Sequence, residues 1–258
     1  MCRYFSLEDN INKWVVPKRF HFIYAKVKIV QGGIKMKYEI KCTPFPVVEC
    51  RIDRGESMIT EGGSMVWMTP QIDMETSGKG GFARLFSGEN IFRNVYTANA
   101  DNQLIAFGSS FPGRILAIDV SKTAWIMQKR SFLAAESGVN FEITFQKKMG
   151  AGFFGGEGFI MQRISGRGIA FVEIDGELIE YTLQPGQQIV VDTGNVAGYE
   201  ESVKMDIQSV KGMKNKLFGG EGFFNTILTG PGKILLQTMP VSSFAQTIIP
   251  YIPQSSGN

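Results

Sequence analysis

The chain has 258 residues, of which 43% are hydrophobic, 27 are basic and 24 are acidic, and its formal net charge is +3. This length fits one large domain or a few small domains fused in tandem. Residues 1–35 contain seven Lys or Arg and two acidic residues, so residues 36–258 carry a net charge of −2. The charge therefore excludes a strongly basic nucleic-acid-binding protein.

The residue types that catalysis and metal binding usually require are scarce. The only histidine is His21, and the three cysteines are Cys2, Cys42 and Cys50. This excludes a Ser-His-Asp triad, a His-rich metal site and a disulfide framework. Apolar runs fall short of the ~20 residues of a membrane helix. We expect a cytoplasmic protein of a bacterium or archaeon, with no catalytic, metal-binding or cofactor-binding residues; peripheral membrane association stays open.

Residues 1–35 differ in composition from the rest of the chain. Gln31-Gly32-Gly33 can be encoded by a sequence that contains a bacterial ribosome-binding site, a short distance before Met36. We expect translation to begin at Met36 and residues 1–35 to be non-native. The alternative is a genuine N-terminal extension without fixed structure.

From Tyr38 onward, short runs of alternating apolar and polar residues follow one another and predict strands. Turn residues at 99–102 and 165–167 predict β-hairpins between the strands on either side. A short helix is expected within 242–252, ended by Pro250. The predicted strands are 38–41, 47–52, 57–60, 64–68, 72–76, 91–97, 103–108, 114–119, 125–127, 132–135, 139–145, 159–164, 168–173, 178–183, 189–191, 203–210, 223–228 and 233–238. The sequence therefore predicts an all-β protein with little helix.

One phrase recurs along the chain. Residues 153–159 read FFGGEGF, residues 217–223 read LFGGEGF, and residues 85–91 hold a degenerate copy, LFSGENI. The glutamates are 68 and 64 residues apart. Near-constant spacing predicts one unit used three times. The predicted units are 36–110, 111–174 and 175–241, followed by a C-terminal segment and tail at 242–258.

The phrase is interpreted as a structural turn. Its glycines permit positive φ and close backbone approach, and it lacks the Lys-Ser/Thr ending of a P-loop. The recurring carboxylate either accepts backbone N–H bonds in its own turn or binds a cation or a basic partner. We interpret the phrase as the junction between the β-layers of each unit. The candidate turn positions are Gly88, Glu89, Gly155, Gly156, Glu157, Gly158, Gly219, Gly220, Glu221 and Gly222.

Four features recur together in one known family: Met36-Lys37-Tyr38-Glu39-Ile40, Glu61-Gly62-Gly63 with Met65 and Trp67, the two Phe-Gly-Gly-Glu-Gly-Phe phrases, and Thr229-Gly230-Pro231-Gly232 with Leu235-Leu236-Gln237-Thr238. With them, residues 36–253 resemble the bacterial relatives of the AIM24 family, also called DUF124. The resemblance implies three consecutive β-sandwich units, each a shortened double-stranded β-helix like that of the tryptophan RNA-binding attenuation protein, in a pseudo-threefold arrangement. It also implies a homotrimer whose nine units form a ring, and it transfers no catalytic residue.

Three functions are compatible with this sequence. The first is a non-enzymatic structural or assembly protein that forms a symmetric β-ring, with a protein partner possible. The second is a binding module for a small molecule or nucleic acid on the assembled ring, although the charge gives no support to nucleic acid. The third is a carboxylate-based enzyme. The first is favoured because the sequence shows a symmetric repeat and no asymmetric catalytic constellation.

Overall fold

A computed structural model describes residues 36–76, 93–147, 158–209 and 224–252. These ranges form 19 strands and one α-helix, so the all-β prediction is confirmed. The strands are β1 Lys37–Lys41, β2 Val47–Ile52, β3 Ser57–Glu61, β4 Met65–Met68, β5 Ile72–Thr76, β6 Arg93–Ala98, β7 Gln103–Gly108, β8 Gly113–Asp119, β9 Trp125–Gln128, β10 Phe132–Glu136, β11 Val139–Lys147, β12 Phe159–Gly166, β13 Ile169–Asp175, β14 Leu178–Leu183, β15 Gln188–Asp192, β16 Val196–Glu200, β17 Lys204–Ser209, β18 Phe224–Thr229 and β19 Gly232–Gln237.

The strands form four antiparallel sheets. Two sheets have six strands, in the orders β5-β6-β3-β10-β13-β8 and β11-β12-β9-β16-β19-β14. A four-stranded sheet has the order β1-β2-β7-β4, and a three-stranded sheet has the order β15-β18-β17. Strands that are distant in sequence are therefore neighbours in every sheet.

The same pairing scheme occurs in three consecutive segments of six strands. We call β2–β7 segment 1, β8–β13 segment 2 and β14–β19 segment 3. In each segment the fifth strand pairs with the fourth and the second, and the sixth strand pairs with the first and the third. Strand β1 stands outside this scheme and pairs with β2.

Each six-stranded sheet is shared by two segments. The second strand of segment 1, β3, pairs with the third strand of segment 2, β10. In the same way β9 of segment 2 pairs with β16 of segment 3. Each of these sheets therefore takes three strands from each of two consecutive segments, so the segments cannot be separated without exposing strand edges.

Two local features recur in all three segments. The third strand carries a register shift, between Met65 and Trp67 in β4, with equivalent shifts in β10 and β16. At the end of that strand, a side-chain oxygen accepts the backbone N–H of a residue at the start of the sixth strand, which fixes the two strands together. The three pairs are Thr69 with Leu104 at 3.1 Å, Glu136 with Ile169 at 2.5 Å and Glu200 with Lys233 at 2.8 Å.

The hydrophobic core crosses the segment boundaries. One cluster joins Val48 and Phe107 of segment 1 to Leu133 and Phe171 of segment 2. A second joins segment 2 to Leu235 of segment 3, and a third lies mainly within segment 3. Burying one such side chain contributes about 1.5–3 kcal/mol. Buried apolar side chains thus cross both boundaries between segments.

The two predicted hairpins are wrong. Strands β6 and β7, on either side of the turn at 99–102, lie in different sheets, and so do β12 and β13 around the turn at 165–167. These turns carry the chain from one sheet to another. Gly166 and Gly168 have φ values of +103° and +129° in the second turn, a backbone region that favours glycine.

The sequence also did not predict β16, at Val196–Glu200. Four of its five residues are buried, so apolar and small residues follow one another without alternation. The predicted C-terminal helix is confirmed as α1, Val241–Ile248, and Pro250 lies in the short 3-10 turn that follows. The Oδ2 atom of Asp175 accepts the backbone N–H of Val241 at 2.8 Å, which fixes the start of α1.

Candidate assembly interface

Two strand edges lack the neighbour that their counterparts have. Strand β4 ends the four-stranded sheet, and β15 ends the three-stranded sheet. Strand β4 is the third strand of segment 1, and β15 is the second strand of segment 3. At both boundaries within the chain, a second strand pairs with the third strand of the following segment. Among the second and third strands of the three segments in the described part of the chain, β4 and β15 are the two that end a sheet.

The two internal boundaries have the same register. After the register shift, Ala134 lies opposite Thr60 at the first boundary, and Gly198 lies opposite Met127 at the second. Gln128 and Asp192 each precede a 3-10 turn, so Val191 of β15 corresponds to Met127. The same register between β4 and β15 places Trp67 opposite Val191 and Met68 opposite Val190.

The side chains on these edges are unusually exposed for their type. Val190 is 60% exposed, whereas its counterparts Ile59 and Ile126 are 4% and 8% exposed. Val66 is 48% exposed, whereas its counterpart Leu133 is 1% exposed. A segment boundary buries the counterparts in both cases. Large apolar side chains at a sheet edge are typical of a surface that is covered in the functional protein.

After the register shift, the cross-strand pair between the third and sixth strands combines one large and one small residue in every segment. Ala134 lies opposite Phe171 in segment 2, and Gly198 lies opposite Leu235 in segment 3. In segment 1 the large residue is on the third strand, where Trp67 lies opposite Ala106. Trp67 therefore supplies at the open edge of segment 1 the volume that Phe171 and Leu235 supply at the internal boundaries.

Two further exposed apolar side chains lie on β14. Ile179 and Tyr181 are exposed, and their register against β19 makes them the counterparts of Val48 and Cys50 on β2. Val48 and Cys50 are fully buried in the cluster that segment 1 shares with segment 2. Segment 3 thus exposes apolar residues at the positions that segment 1 uses to bind segment 2.

Comparison with known proteins identifies the family. Residues 38–239 match the family described as Mitochondrial biogenesis AIM24. This chain belongs to the AIM24 family. An uncharacterised protein of Streptococcus pyogenes serotype M6 is 29% identical to it over 236 residues, covering 86% of this chain and 93% of that protein. A Streptococcus pyogenes protein of known crystal structure has the same fold, with a TM-score of 0.69 and 24% identity, covering 84% of this chain and 100% of that one.

Of the ten turn positions predicted in this AIM24-family chain, Gly158 alone lies within the described residues. It precedes β12 with a φ of +86°, in the region that favours glycine. Lys147 pairs with Phe159, so the phrase connects two strands of one sheet, and its interpretation as the junction between layers is wrong. The positions outside the described residues are Gly88, Glu89, Gly155, Gly156, Glu157, Gly219, Gly220, Glu221 and Gly222.

A polar cleft with two carboxylates lies where β13 ends and α1 begins. The Oε2 atom of Glu173 accepts bonds from the Ser109 hydroxyl at 2.8 Å and the Ser110 backbone N–H at 2.7 Å. Burial raises the pKa of Glu173 and of Asp175, which accepts the backbone N–H of Val241. Both carboxylates thus fix neighbouring chain segments.

In the described ranges, no group of three or more His, Cys, Asp or Glu side chains is arranged to hold a metal ion. No helix in those ranges is long and apolar enough to cross a membrane.

Met65 and Trp67 of β4 are among the features that carry the family resemblance, but the sequence alone assigned no contact to either open edge. A signal was present, because residues 65–68 read MVWM, a run of four large apolar residues at a position where half should face water. What the sequence lacks is the strand order, which alone shows that β4 and β15 end their sheets.

Proposed function

We propose that this AIM24-family chain is a non-enzymatic assembly protein of the cytoplasm, in which β15 of one copy pairs with β4 of the next. Three copies would then close into a ring of nine units with the architecture of the tryptophan RNA-binding attenuation protein. The family resemblance supports the number three. The strand order supports the contact itself.

Completion of a third six-stranded sheet is the observation that carries the proposal. The order β17-β18-β15 is the first half of the six-stranded sheets, and β4-β7-β2 is the second half. Joining β15 to β4 of another copy gives β17-β18-β15-β4-β7-β2, the order of the two sheets within the chain, with β1 added at the end. Each copy therefore supplies the first half of one shared sheet and the second half of another.

The contact is heterologous, because two different surfaces meet. Heterologous contacts produce closed rings when the rotation between subunits closes, and open filaments when it does not. Here the proposed contact between copies uses the same strands and register as the two boundaries within the chain. One type of boundary repeated around an axis favours closure.

Light scattering after size-exclusion chromatography tests the assembly. At micromolar concentration we expect a mass three times the 28.6 kDa of one chain. Val190→Asp and Met68→Asp each place a charge in the contact and should reduce the mass. Met74→Asp is the matched control, because Met74 is 52% exposed on β5, which belongs to a sheet that contains neither β4 nor β15, and this variant should keep the mass of the wild type.

Mixing the two disruptive variants tests the polarity of the contact. A Val190→Asp copy retains β4, and a Met68→Asp copy retains β15, so the mixture should form a one-to-one dimer through one intact junction. A wild-type monomer would contradict the proposed ring. Failure of the mixture to associate would contradict the β4–β15 contact.

A further inference from the structure

Strand β1 shows how an extended segment binds the outer edge of a first strand. It pairs antiparallel with β2, so that Tyr38 lies opposite Cys50 and Ile40 opposite Val48. Lys41 then places its Nζ atom 2.5 Å from Oε2 of Glu49. The bound strand therefore contributes two apolar side chains at alternate positions, followed by a lysine.

The first strand of segment 3 carries the same acceptor. Glu49 lies opposite Ala106 on β7, and Glu180 lies opposite Leu235 on β19. Ala106 and Leu235 occupy the same position in the sixth strands of their segments, so Glu180 is the counterpart of Glu49. Glu180 is exposed on β14 and is flanked by the exposed Ile179 and Tyr181. Strand β14 thus presents one carboxylate between two apolar side chains.

Strand β14 also has a free side for another strand, because it ends its six-stranded sheet. In the proposed ring, the added pairing involves β15 and β4, so β14 still ends its sheet. Segment 2 differs, since Ala117 of β8 takes the position of Glu49. Among the three first strands, β14 therefore combines the carboxylate with an uncovered edge in the described part of the chain.

We propose that the outer edge of β14 binds an extended peptide segment of a partner protein, with two apolar side chains at alternate positions followed by a lysine. The segment adds an antiparallel strand to the sheet, and main-chain hydrogen bonds hold it, as in other cases of strand addition. Its apolar residues lie opposite Tyr181 and Ile179. Its lysine lies opposite Leu178 and bonds the carboxylate of Glu180.

Charge complementarity decides the kind of partner. Strand β1 reads KYEIK, and its Lys41 bonds Glu49, while the Tyr38 ring packs 5.0 Å from that of Phe171. The same combination on β14 favours a basic and apolar segment over an acidic one. Within the described residues β14 carries one such site, and the inference does not depend on closure of the ring.

Fluorescence anisotropy tests the site with a labelled peptide of the sequence Met-Lys-Tyr-Glu-Ile-Lys, which is that of residues 36–41. We expect saturable binding to the wild-type protein at low salt. Glu180→Lys should weaken it at least about threefold, because an attraction between exposed charges becomes a repulsion. Replacing the last lysine of the peptide by glutamate should restore binding to Glu180→Lys.

Glu142→Lys is the matched control, because Glu142 is exposed on β11 at the opposite end of the same sheet. This variant should bind the peptide as the wild type does. Absence of saturable binding to the wild type overturns the proposal. Equal binding by Glu180→Lys and the wild type also overturns it, because the peptide would then be replacing β1 at the edge of β2.

Discussion

The guanidinium carbon of Arg93 lies 4.0 Å from the centre of the Phe141 ring, on a different sheet. It also lies 5.3 Å from the centre of the Phe132 ring. Arg93 belongs to segment 1 and is fully buried, whereas both rings belong to segment 2. A cation over an aromatic face is attracted by the ring quadrupole, and more strongly when water is excluded. These contacts therefore hold two segments together.

Removing the Arg93 side chain should destabilise the fold. We expect Arg93→Ala to lower the free energy of unfolding by about 2 kcal/mol or more, since it removes a desolvated cation–π contact and leaves a cavity. Urea unfolding followed by tryptophan fluorescence measures the change. Arg51→Ala, at an exposed arginine on β2, is the control and should change stability by less than about 0.5 kcal/mol. Equal losses would show that Arg93 has no special role.

The proposed register between copies predicts a specific cross-link. Cysteines at positions 68 and 190, in a background that lacks Cys2 and Cys42, should lie within reach of a short bis-maleimide in the ring. Denaturing gels should then show covalent dimers and trimers, because each copy contributes one cysteine to each of two junctions. Replacing Met74 and Val190 by cysteine is the off-register control and should yield monomers. Bands that continue beyond the trimer would indicate an open filament.

Close approach of two strands explains Gly198. A Cβ atom at this position would lie 2.1 Å from Sδ of Met127 and 2.8 Å from the carbonyl oxygen of Ile126. We expect Gly198→Ala to destabilise the fold by about 1–3 kcal/mol, because β9 and β16 must move apart. Gly62→Ala is the control, since a Cβ there would meet no atom within 4 Å. Thermal unfolding should separate the two variants clearly, and similar melting temperatures would contradict this explanation.

The buried carboxyl of Glu173 should make stability depend on pH. Burial raises its pKa above the ordinary value of 4.5, so the native state keeps this proton at pH values where the unfolded chain has lost it. The contribution to stability is complete below pH 4.5 and is lost as the pH rises through the native pKa. Urea unfolding at several pH values between 4.5 and 7.5 should show a smaller decline for Glu173→Gln than for the wild type. Parallel curves would refute the assignment.

The sequence predicted most strands because their local pattern is strong. Strands such as β2 and β11 alternate, since one face meets the core and the other meets water. Strand β16 escaped detection because it is buried on both faces and contains Gly198, so neither alternation nor strand propensity marks it. The hairpin errors have another cause. A turn such as 165–167 shows where the chain reverses but contains no information about which strands β12 and β13 pair with.

The candidate site was less predictable for the same reason. The recurring phrase is conspicuous in the sequence, whereas the open edges of β4 and β15 are defined by the partners that they lack within one chain. Trp67 and Val190 become significant only when their counterparts at the internal boundaries are known. Those counterparts follow from pairing between strands about 70 residues apart in sequence, such as Ala134 with Thr60.

The three-stranded sheet β15-β18-β17 has a consequence for the energetics of the whole chain. In the proposed ring, the other half of this sheet is β4-β7-β2 of another molecule. By mass action, dilution should then loosen this sheet before the two six-stranded sheets. Amide hydrogens of β15 should exchange faster in dilute protein, whereas those of β13 should exchange at a rate independent of dilution. The stability of this sheet near the end of the chain would thus depend on the protein concentration.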